Sequence, residues 1–276
     1  MRIVPGSSSP VLSRRIASIL GVKLANVTFK RFPDGEIYVR IEDAGDDPVI
    51  VQSITSNDDL VTLMLMLDAL EGKDVTVVIP YMGYARQDRR FKEGEPISVR
   101  AVAKTVEGYA GRIITVNIHS KEASSHFRGL EEVDAMPIIG EHYRGRDVVM
   151  ISPDLGSLER VKVCAEHAGC EFDYLEKERL DAERVVIKPK NLDVKGRDIV
   201  IVDDIISTGG TMVEATKMLL SAGARSVECA CVHAVLAGNA LHRLFYAGVK
   251  GVVATDTIER IVSVVSVAPV IAEMLR

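Results

Sequence analysis

The stretch from Asp203 to Thr211 carries the residue types best suited to binding chemistry in this sequence. Asp203 and Asp204 follow the apolar run 199–202, and a loop rich in hydroxyl groups and glycine follows them. The loop consists of Ser207, Thr208, Gly209, Gly210 and Thr211. Adjacent glycines let a backbone approach a ligand closely, the N–H groups of a helix start bind phosphate, and carboxylates accept hydrogen bonds from sugar hydroxyls. These residues predict a site for a phosphorylated sugar.

A second stretch with chemical potential is strongly basic. Residues 80–98 read PYMGYARQDRRFKEGEPIS, and they follow an apolar run. One arginine guanidinium group can donate two parallel hydrogen bonds to the oxygens of a phosphate. Neither stretch has the pattern G-x-x-x-x-G-K-[ST], which excludes a nucleotide loop of the Walker type.

Both stretches depend on the elements that hold them, and these elements alternate along the chain. Strand-like runs are expected at 48–54, 75–80, 112–118, 147–152, 197–202, 226–233 and 251–255. Amphipathic helical patterns lie between them at 60–71, 98–109, 158–168, 211–222 and 240–247. The alternation indicates an α/β fold with mostly parallel sheets flanked by helices. In such sheets ligands bind at the carboxyl ends of the strands, where the loop at 207–211 falls.

The connections suggest how the chain is divided. The polar segment 140–145 favours two domains, 1–143 and 144–276, and leaves open whether the last helix packs back on the first domain. Residues 31–41 contain Pro-Asp-Gly and then alternate, so we expect an antiparallel edge hairpin there. Residues 176–198 hold many charges and are expected to be rich in loops, with a mobile loop at 176–183.

Composition excludes several classes of protein. The net charge of −5 argues against a nucleic-acid binder. No apolar run reaches about 18 residues, so no membrane span is expected. The first residues lack the apolar core of a signal peptide, which favours a cytoplasmic protein. The four cysteines form no C-x-x-C pair and are expected to be buried free thiols, at Cys164, Cys170, Cys229 and Cys231.

The motifs and their order resemble a known family. The loop at 203–211 is similar to the phosphoribosyl-binding loop of the phosphoribosyltransferase fold, in which an Asp usually stands where this chain has Ser207. The basic stretch at 80–98 combines with FPDGE at 32–36, NIHS at 117–120, SPDLGSLERV at 152–161 and EKER at 176–179. Together they resemble the ribose-phosphate pyrophosphokinase family over nearly the whole chain. The resemblance implies two phosphoribosyltransferase-like domains and transfer of a pyrophosphoryl group from ATP to ribose 5-phosphate.

The resemblance also implies roles for residues outside the glycine-rich loop. Arg86 and Gln87 would bind ATP. Phe32, Asp34 and Glu36 would contact the adenine from a neighbouring subunit, which implies a homo-oligomer that is at least a dimer. Sedimentation of an active monomer would exclude this assembly.

Catalysis and metal binding are implied for four more residues. Lys177 and Arg179 resemble the catalytic pair of the family, with Arg179 also near the ribose 5-phosphate. His119 and Asp154 resemble its Mg²⁺-associated residues. Two neighbouring positions depart from the family, because Asn117 stands where an acid is usual and Ser157 stands where a second glycine is common.

Two alternatives share the same sugar-binding loop. A phosphoribosyltransferase would consume phosphoribosyl pyrophosphate, but it would not need the basic stretch at 81–92 for ATP. A non-catalytic relative would bind and regulate a true synthetase. The changes at Asn117 and Ser207 are the features that point toward such a relative.

Overall fold

The computed structural model describes the backbone of residues 1–179, 185–189 and 192–276, and the side chains of residues 1–176 and 192–276. The chain forms two compact units. Unit 1 comprises Met1–Asp134, Thr257–Glu259 and Ser266–Arg276, and unit 2 comprises Ala135–Asp256 and Arg260–Val265. The chain therefore first passes between the units after Asp134, earlier than the sequence-based division at 143.

Unit 1 is built on a five-stranded parallel sheet. Its strands are β1 (Arg2–Pro5), β4 (Pro48–Val51), β5 (Thr76–Ile79), β6 (Arg112–Val116) and β7 (Leu130–Val133), in that spatial order. Its helices are α1 (Pro10–Leu20), α2 (Asn57–Asp68), α3 (Ser98–Val106), α4 (Lys121–Ser125) and α9 (Ala268–Met274). All four residues of β4 are buried, as expected for a strand covered on both faces.

A separate hairpin completes unit 1. Strands β2 (Asn26–Arg31) and β3 (Ile37–Glu42) pair antiparallel and form a two-stranded sheet of their own. The expected hairpin is thus present, and residues 23–25, just before β2, hydrogen-bond with Ile3 of β1, the edge strand of the parallel sheet. Its half-buried Val27, Phe29 and Val39 pack on the core of unit 1.

Unit 2 is built on a seven-stranded sheet. Its strands lie in the order β10 (Val185–Pro189), β9 (Glu171–Arg179), β8 (Val149–Ser152), β11 (Asp198–Ile206), β12 (Ser226–Ala234), β13 (Val249–Thr255) and β14 (Ser263–Val265). All pairings are parallel except that of β9 with β10. Its helices are α5 (Met136–Tyr143), α6 (Leu158–Ala168), α7 (Gly210–Ser221) and α8 (Ala240–Tyr246).

The stretch expected to be rich in loops contains two strands instead. The first four residues of β9 pair with β8, and its last five pair with β10. Lys177 and Arg179 therefore lie on a strand, and the loop prediction is wrong for residues 176–179 and 185–189. Residues 180–184 and 190–191 lie outside the described residues. The strand was missed because its charged residues hide the alternation that indicates a strand.

Two other boundaries differ from expectation. The segment 140–145, expected as a linker, contains the end of α5. Strand β11 continues past Val202 and includes both Asp203 and Asp204, because its register with β12 runs on to Ile206. The acidic pair is therefore fixed by a ladder of backbone hydrogen bonds, and not by a loop.

The last helix, α9, belongs to unit 1. It packs near α1, and Arg112 Nη2 donates to the carbonyl oxygen of Met274 at 2.7 Å. Ser53 Oγ donates to the carbonyl oxygen of Thr257 at 2.6 Å. Two separate returns of the chain thus tie its C-terminal part into unit 1.

The cysteines are free, as predicted. Cys164, Cys229 and Cys231 are buried, and Cys170 is partly buried. Burial raises the pKa of the Cys229 thiol to about 12, so this group is an inert part of the core. None of the helices in the described part of the chain is long and apolar enough to cross a membrane.

Candidate active site

The loop at 207–211, called the glycine loop below, joins the carboxyl end of β11 to the start of α7. Gly209 precedes the helix with φ of 76°, a left-handed conformation that only glycine adopts without strain. Val213 N donates to the carbonyl oxygen of Gly209 at 2.9 Å. The amides of residues 210–212 make no hydrogen bond to other described residues, as expected for the first turn of a helix. The loop therefore presents a row of unused N–H donors.

The segment after β12 holds the glycine loop from one side. Leu236 N donates to the carbonyl oxygen of Ile206 and Ala237 N to that of Ser207, both at 3.0 Å. The guanidinium of Arg243, on α8, donates to the carbonyl oxygen of Thr208. These bonds engage the carbonyl oxygens of the loop and leave its N–H groups open. Thr208, Gly210 and Thr211 are exposed, so their side is accessible to a ligand.

The two acidic residues of β11 have different partners on α6. Asp203 Oδ1 accepts a hydrogen bond from Ser157 Oγ at 2.9 Å and another from Asp204 N at 2.8 Å. The Asp204 carboxylate is 4% exposed and lies 3.4 Å from Nη1 of Arg160. The first turn of α6 thus supports both carboxylates.

Burial raises the pKa of Asp203 to about 7, with the charge of Asp204 as the next cause. The hydrogen bond from Ser157 acts in the opposite direction and lowers this pKa. Two acids side by side in a poorly solvated place do not both ionise easily. The site is therefore arranged for partners that donate hydrogen bonds or carry positive charge.

Asp154 lies in the turn that joins β8 to α6. Its Oδ1 accepts a hydrogen bond from Ser157 N at 3.1 Å, and Ser152 Oγ donates to its carbonyl oxygen at 2.6 Å. Asp154 is exposed, whereas Ser157 is buried. Ser157 therefore connects Asp154 with Asp203, two residues that the sequence placed in separate motifs.

In unit 1, the basic turn (residues 81–92) follows β5 and is held by Asp88. The Asp88 carboxylate accepts a hydrogen bond from Ser120 Oγ at 2.5 Å. The backbone carbonyl oxygen of Asp88 lies 2.7 Å from Nε2 of His126. Gln87 Oε1 accepts from Ser98 Oγ at the start of α3. Because Ser120 adjoins His119 in the chain, these contacts place Arg86, Gln87 and His119 at one edge of the sheet.

The second half of the basic turn is closed by Glu95. Its Oε2 accepts hydrogen bonds from the amides of Phe91 and Lys92, each at 3.0 Å. Arg90 Nε donates to the carbonyl oxygen of Glu95 at 3.0 Å. Beside this fold, an open depression of about 400 Å³ is lined by residues that include Arg90, Arg100 and Lys104. Three cationic side chains, those of Arg90, Arg100 and Lys104, therefore line this depression.

The tip of the β2–β3 hairpin holds three further predicted site residues, Phe32, Asp34 and Glu36. Phe32 N donates to the carbonyl oxygen of Glu36, and Glu36 N donates to the carboxylate of Asp34. Gly35 has φ of 96°, which completes the turn. Phe32 is 50% exposed although it is a large apolar ring, and it meets Tyr38 edge to face. Its exposed face is available to a planar ligand.

The four residues predicted for catalysis and metal binding are distributed over both units. His119 belongs to unit 1, whereas Asp154, Lys177 and Arg179 belong to unit 2. Lys177 and Arg179 pair with Ile187 and Val185 across the hairpin. Within the residues whose side chains are described, no three His, Cys, Asp or Glu residues form a ligand set for a metal.

Three residues of the site were not predicted to bind or position anything: Asp88, Arg160 and, as a contact to Asp203, Ser157. Arg160 could have been found, because it lies three residues after Ser157 at a helix start and so shares its face. Asp88 could not, since its partners Ser120 and His126 lie more than thirty residues away in the sequence.

Comparisons with known proteins agree over the whole chain. The model for the N-terminal domain of ribose phosphate pyrophosphokinase matches residues 1–110, and the phosphoribosyl transferase domain model matches residues 134–267. Ribose-phosphate pyrophosphokinase 2 of Archaeoglobus fulgidus is 56% identical over 273 residues, which cover 99% of each chain. The ribose-phosphate pyrophosphokinase of Methanosarcina acetivorans is 47% identical over 100% of this chain and 99% of its own.

A solved structure shows the same relationship. The crystal structure of phosphoribosylpyrophosphate synthetase from Mycobacterium smegmatis matches with a TM-score of 0.85 and 32% identity, over 100% of this chain and 97% of that one. The fold class predicted from the sequence, α/β with two phosphoribosyltransferase-like domains, is thereby confirmed. The chain belongs to the ribose-phosphate pyrophosphokinase family.

Proposed function

We propose that the residues described above carry out the reaction of this family. The 1-hydroxyl oxygen of ribose 5-phosphate attacks the β-phosphorus of ATP. The bond between the β-phosphorus and the oxygen that bridges it to the α-phosphorus breaks, and AMP leaves with that oxygen. The hydroxyl proton is released, and the products are 5-phosphoribosyl 1-pyrophosphate and AMP.

The ribose 5-phosphate binds at the glycine loop in this proposal. The observation that carries it is the left-handed conformation of Gly209 before α7, whose first amides, at residues 210–212, have no hydrogen-bond partner among the described residues and lie at the positive end of the helix dipole. Ser207, Thr208 and Thr211 add hydroxyl donors to the phosphate. Asp203 and Asp204 accept hydrogen bonds from the ribose hydroxyls, whose O–H groups suit buried carboxylates.

ATP binds at the basic turn. The guanidinium of Arg86 contacts phosphate oxygens, and Gln87, held by Ser98, offers its amide to a polar edge of the nucleotide. The tip of the β2–β3 hairpin supplies the base contact, with Phe32 stacking on the adenine and Asp34 or Glu36 accepting from its amino group. Stacking of a nucleobase on an exposed aromatic ring contributes about 1–3 kcal/mol.

The β2–β3 hairpin would serve the active site of a neighbouring subunit, so the enzyme is a homo-oligomer of at least two chains. The exposure of Phe32 supports this assignment, because a half-exposed aromatic ring at the tip of a hairpin offers a free face to a planar group of another subunit's ligand. Sedimentation of the active enzyme tests it, and an active monomer would contradict it.

The metal ion of the reaction is Mg²⁺ in this proposal. Mg²⁺ usually takes one or two carboxylates and completes its shell with water and substrate phosphates, so a full protein ligand set is not required. The exposed carboxylate of Asp154 fits this role, and His119 fits a contact through water or to a phosphate. Bound there, the ion would neutralise phosphate charge, and Asp203 and Asp204 remain with the sugar.

Lys177 and Arg179 stabilise the charge that develops on the transferred group. Positioning and electrostatic stabilisation supply most of the catalysis in phosphoryl transfer. Both residues lie where β9 has left β8 and pairs only with β10, which extends their backbone beyond the central sheet. In this proposal Arg179 also binds the sugar phosphate.

A coupled assay for AMP tests the function. AMP must appear when ATP and ribose 5-phosphate are present together, and its release must stop when Mg²⁺ is removed with a chelator. Release of pyrophosphate from phosphoribosyl pyrophosphate plus a base, without AMP formation, would identify a phosphoribosyltransferase. Binding of both substrates without turnover would identify a non-catalytic relative.

A further inference from the structure

We propose that Ser157 is a positioning residue for ribose 5-phosphate, because its hydroxyl fixes the carboxylate of Asp203 in the orientation that accepts the sugar hydroxyls. The inference rests on the proposed function, in which Asp203 contacts the ribose.

Ser157 donates two hydrogen bonds, and each goes to a different carboxylate. Its backbone N–H donates to Asp154 Oδ1 at 3.1 Å, and its hydroxyl donates to Asp203 Oδ1 at 2.9 Å. The hydroxyl oxygen also lies 3.5 Å from Asp154 Oδ1, but it has a single hydrogen, and Asp203 is the nearer acceptor. Ser157 is 6% exposed, so water does not readily replace either contact.

The side chain of Ser157 makes this contact instead of the capping hydrogen bond that serine usually makes before a helix. It is the residue before α6, a position where serine normally accepts a hydrogen bond from an amide of the first turn. Ser56 and Ser120 do so at the starts of α2 and α4. The side chain of Ser157 makes no such bond. Its hydroxyl is directed to Asp203 instead of stabilising its own helix.

The contact fixes which oxygen of Asp203 meets the ligand. The hydrogen bonds from Ser157 Oγ and from Asp204 N both end on Oδ1. The Asp203 carboxyl also has a side-chain hydrogen bond with Asp204. In this proposal the ribose hydroxyls donate to Oδ2, which neither the bond from Ser157 nor the bond from Asp204 N uses. Arg160 acts on the neighbouring carboxylate of Asp204 from the same turn of α6, so one helix start orients both acids.

A glycine at position 157 would keep the backbone bond to Asp154 and lose only the bond to Asp203. Ser157→Gly and Ser157→Ala therefore isolate the hydroxyl, and Ser157→Thr restores one. The matched control is Ser226→Ala, which removes a Ser–Asp hydrogen bond of 2.6 Å to Asp198 at the opposite end of β11. It removes a contact of the same kind in the same unit, away from the glycine loop.

The experiment measures three quantities for each full-length variant: KM for ribose 5-phosphate with kcat, Kd for ribose 5-phosphate by calorimetry, and Tm. We expect Ser157→Ala and Ser157→Gly to raise KM and Kd about tenfold, as expected for loss of a hydrogen bond to a charged group, with kcat changed less than about threefold. Ser157→Thr should return both constants to near the wild-type values. Ser226→Ala should lower Tm and leave KM unchanged.

The outcomes separate this inference from the function on which it rests. If Ser157→Ala and Ser157→Gly keep KM and Kd within about twofold of wild type while Tm falls as in Ser226→Ala, Ser157 is only structural and the inference is overturned. If the wild-type enzyme fails to bind ribose 5-phosphate or to release AMP, the proposed function fails and the inference fails with it.

Discussion

The glycine loop of unit 2 and the basic turn of unit 1 both follow a parallel strand, but different groups hold them in place. The glycine loop is shaped by the left-handed backbone at Gly209 and by hydrogen bonds to its carbonyl oxygens. The basic turn is shaped by side chains, chiefly the carboxylates of Asp88 and Glu95. The first leaves backbone N–H groups for the ligand, and the second leaves charged side chains.

This difference matches the ligands proposed for the two places, ribose 5-phosphate at the glycine loop and ATP at the basic turn. A terminal phosphate is small, and a row of backbone donors at fixed positions matches it at little entropic cost. A triphosphate with a base is long, so it needs longer side chains that reach different parts of it. Predictions that separate binding at the two places from the chemical step can test the comparison.

The largest effect on activity should come from a residue outside both the glycine loop and the basic turn. Lys177→Ala should lower kcat by roughly 10²–10³-fold, the usual loss when one donor to a transition state is removed, with KM for either substrate changed little. Steady-state kinetics on both substrates measure this. Lys188→Ala, on the partner strand β10, is the control and should keep kcat near wild type. Near-normal turnover in Lys177→Ala would remove this residue from the mechanism.

Gly209→Ala tests the backbone side of the comparison. A Cβ there meets only ordinary contacts, the nearest being Ala240 Cβ at 3.5 Å, but the φ of 76° costs about 1–2 kcal/mol for an L-residue. Relief of this strain would turn the amides away from the phosphate. We expect kcat/KM for ribose 5-phosphate to fall about 10–100-fold, with KM for ATP within about twofold.

Gly196→Ala is the control for this variant. Gly196 also has positive φ, 72°, with open space around a Cβ, and it lies before the opposite end of β11. It should cost similar stability without changing KM for ribose 5-phosphate. If the two variants affect KM equally, the conformation at Gly209 has no special part in binding.

Asp203, beside the glycine loop, should make the stability of the protein depend on pH. Asp203 has its pKa raised to about 7 by burial and by Asp204, compared with about 3.9 in an unfolded chain. The folded state therefore holds the proton more tightly, and the free energy of unfolding falls as pH rises from about 4 to about 7.

Asp203→Asn removes this dependence. Between pH 5 and pH 8, the stability of the variant relative to wild type should rise by about 2 kcal/mol, measured by denaturant unfolding at several pH values. Asp198→Asn is a contrasting control, because Arg225 lowers the pKa of Asp198 and its replacement should give no such gain. A pH-independent difference for Asp203→Asn would show that the carboxyl ionises as in the unfolded chain.

Asp88→Ala tests whether side chains hold the basic turn in place, and it should have the smallest effect of these variants. Loss of the bond to Ser120 loosens the basic turn, so we expect KM for ATP to rise about tenfold with KM for ribose 5-phosphate unchanged. Asp88→Asn keeps an acceptor oxygen and should stay near wild type. Equal effects of the two variants would assign the role to charge and not to the hydrogen bond.

The sequence predicted the glycine loop more completely than the basic turn. The glycines and acids at 203–211 are contiguous, and a strand followed by a helix fixes their arrangement locally. The partners of Asp88 come from another connection of the sheet, and only the folded chain shows them. The contact of Ser157 with Asp203 was missed for the same reason, since β8 and β11 are neighbours only in the sheet.

The remaining misses have physical causes as well. Short elements such as β1, β7 and α4 span too few residues to show a period. The charged strand β9 was predicted as a loop because Lys177 and Arg179 alternate with glutamates, so the usual apolar signal is absent. Its pairing with β10 supplies the order that its composition does not indicate.

The return of residues 257–259 and 266–276 to unit 1 has a consequence for synthesis on the ribosome. Unit 1 contains the first strands to be synthesised, but its helix α9 is synthesised after all of unit 2. The hydrogen bond from Arg112 to Met274 can therefore form only after unit 2 has been made. The usual N-terminal-first order of co-translational folding is therefore reversed in its last step, and the later-made unit can close before the earlier one. A released chain truncated after residue 265 contains all of unit 2 but lacks α9, so its unit 1 should be more susceptible to protease than its unit 2.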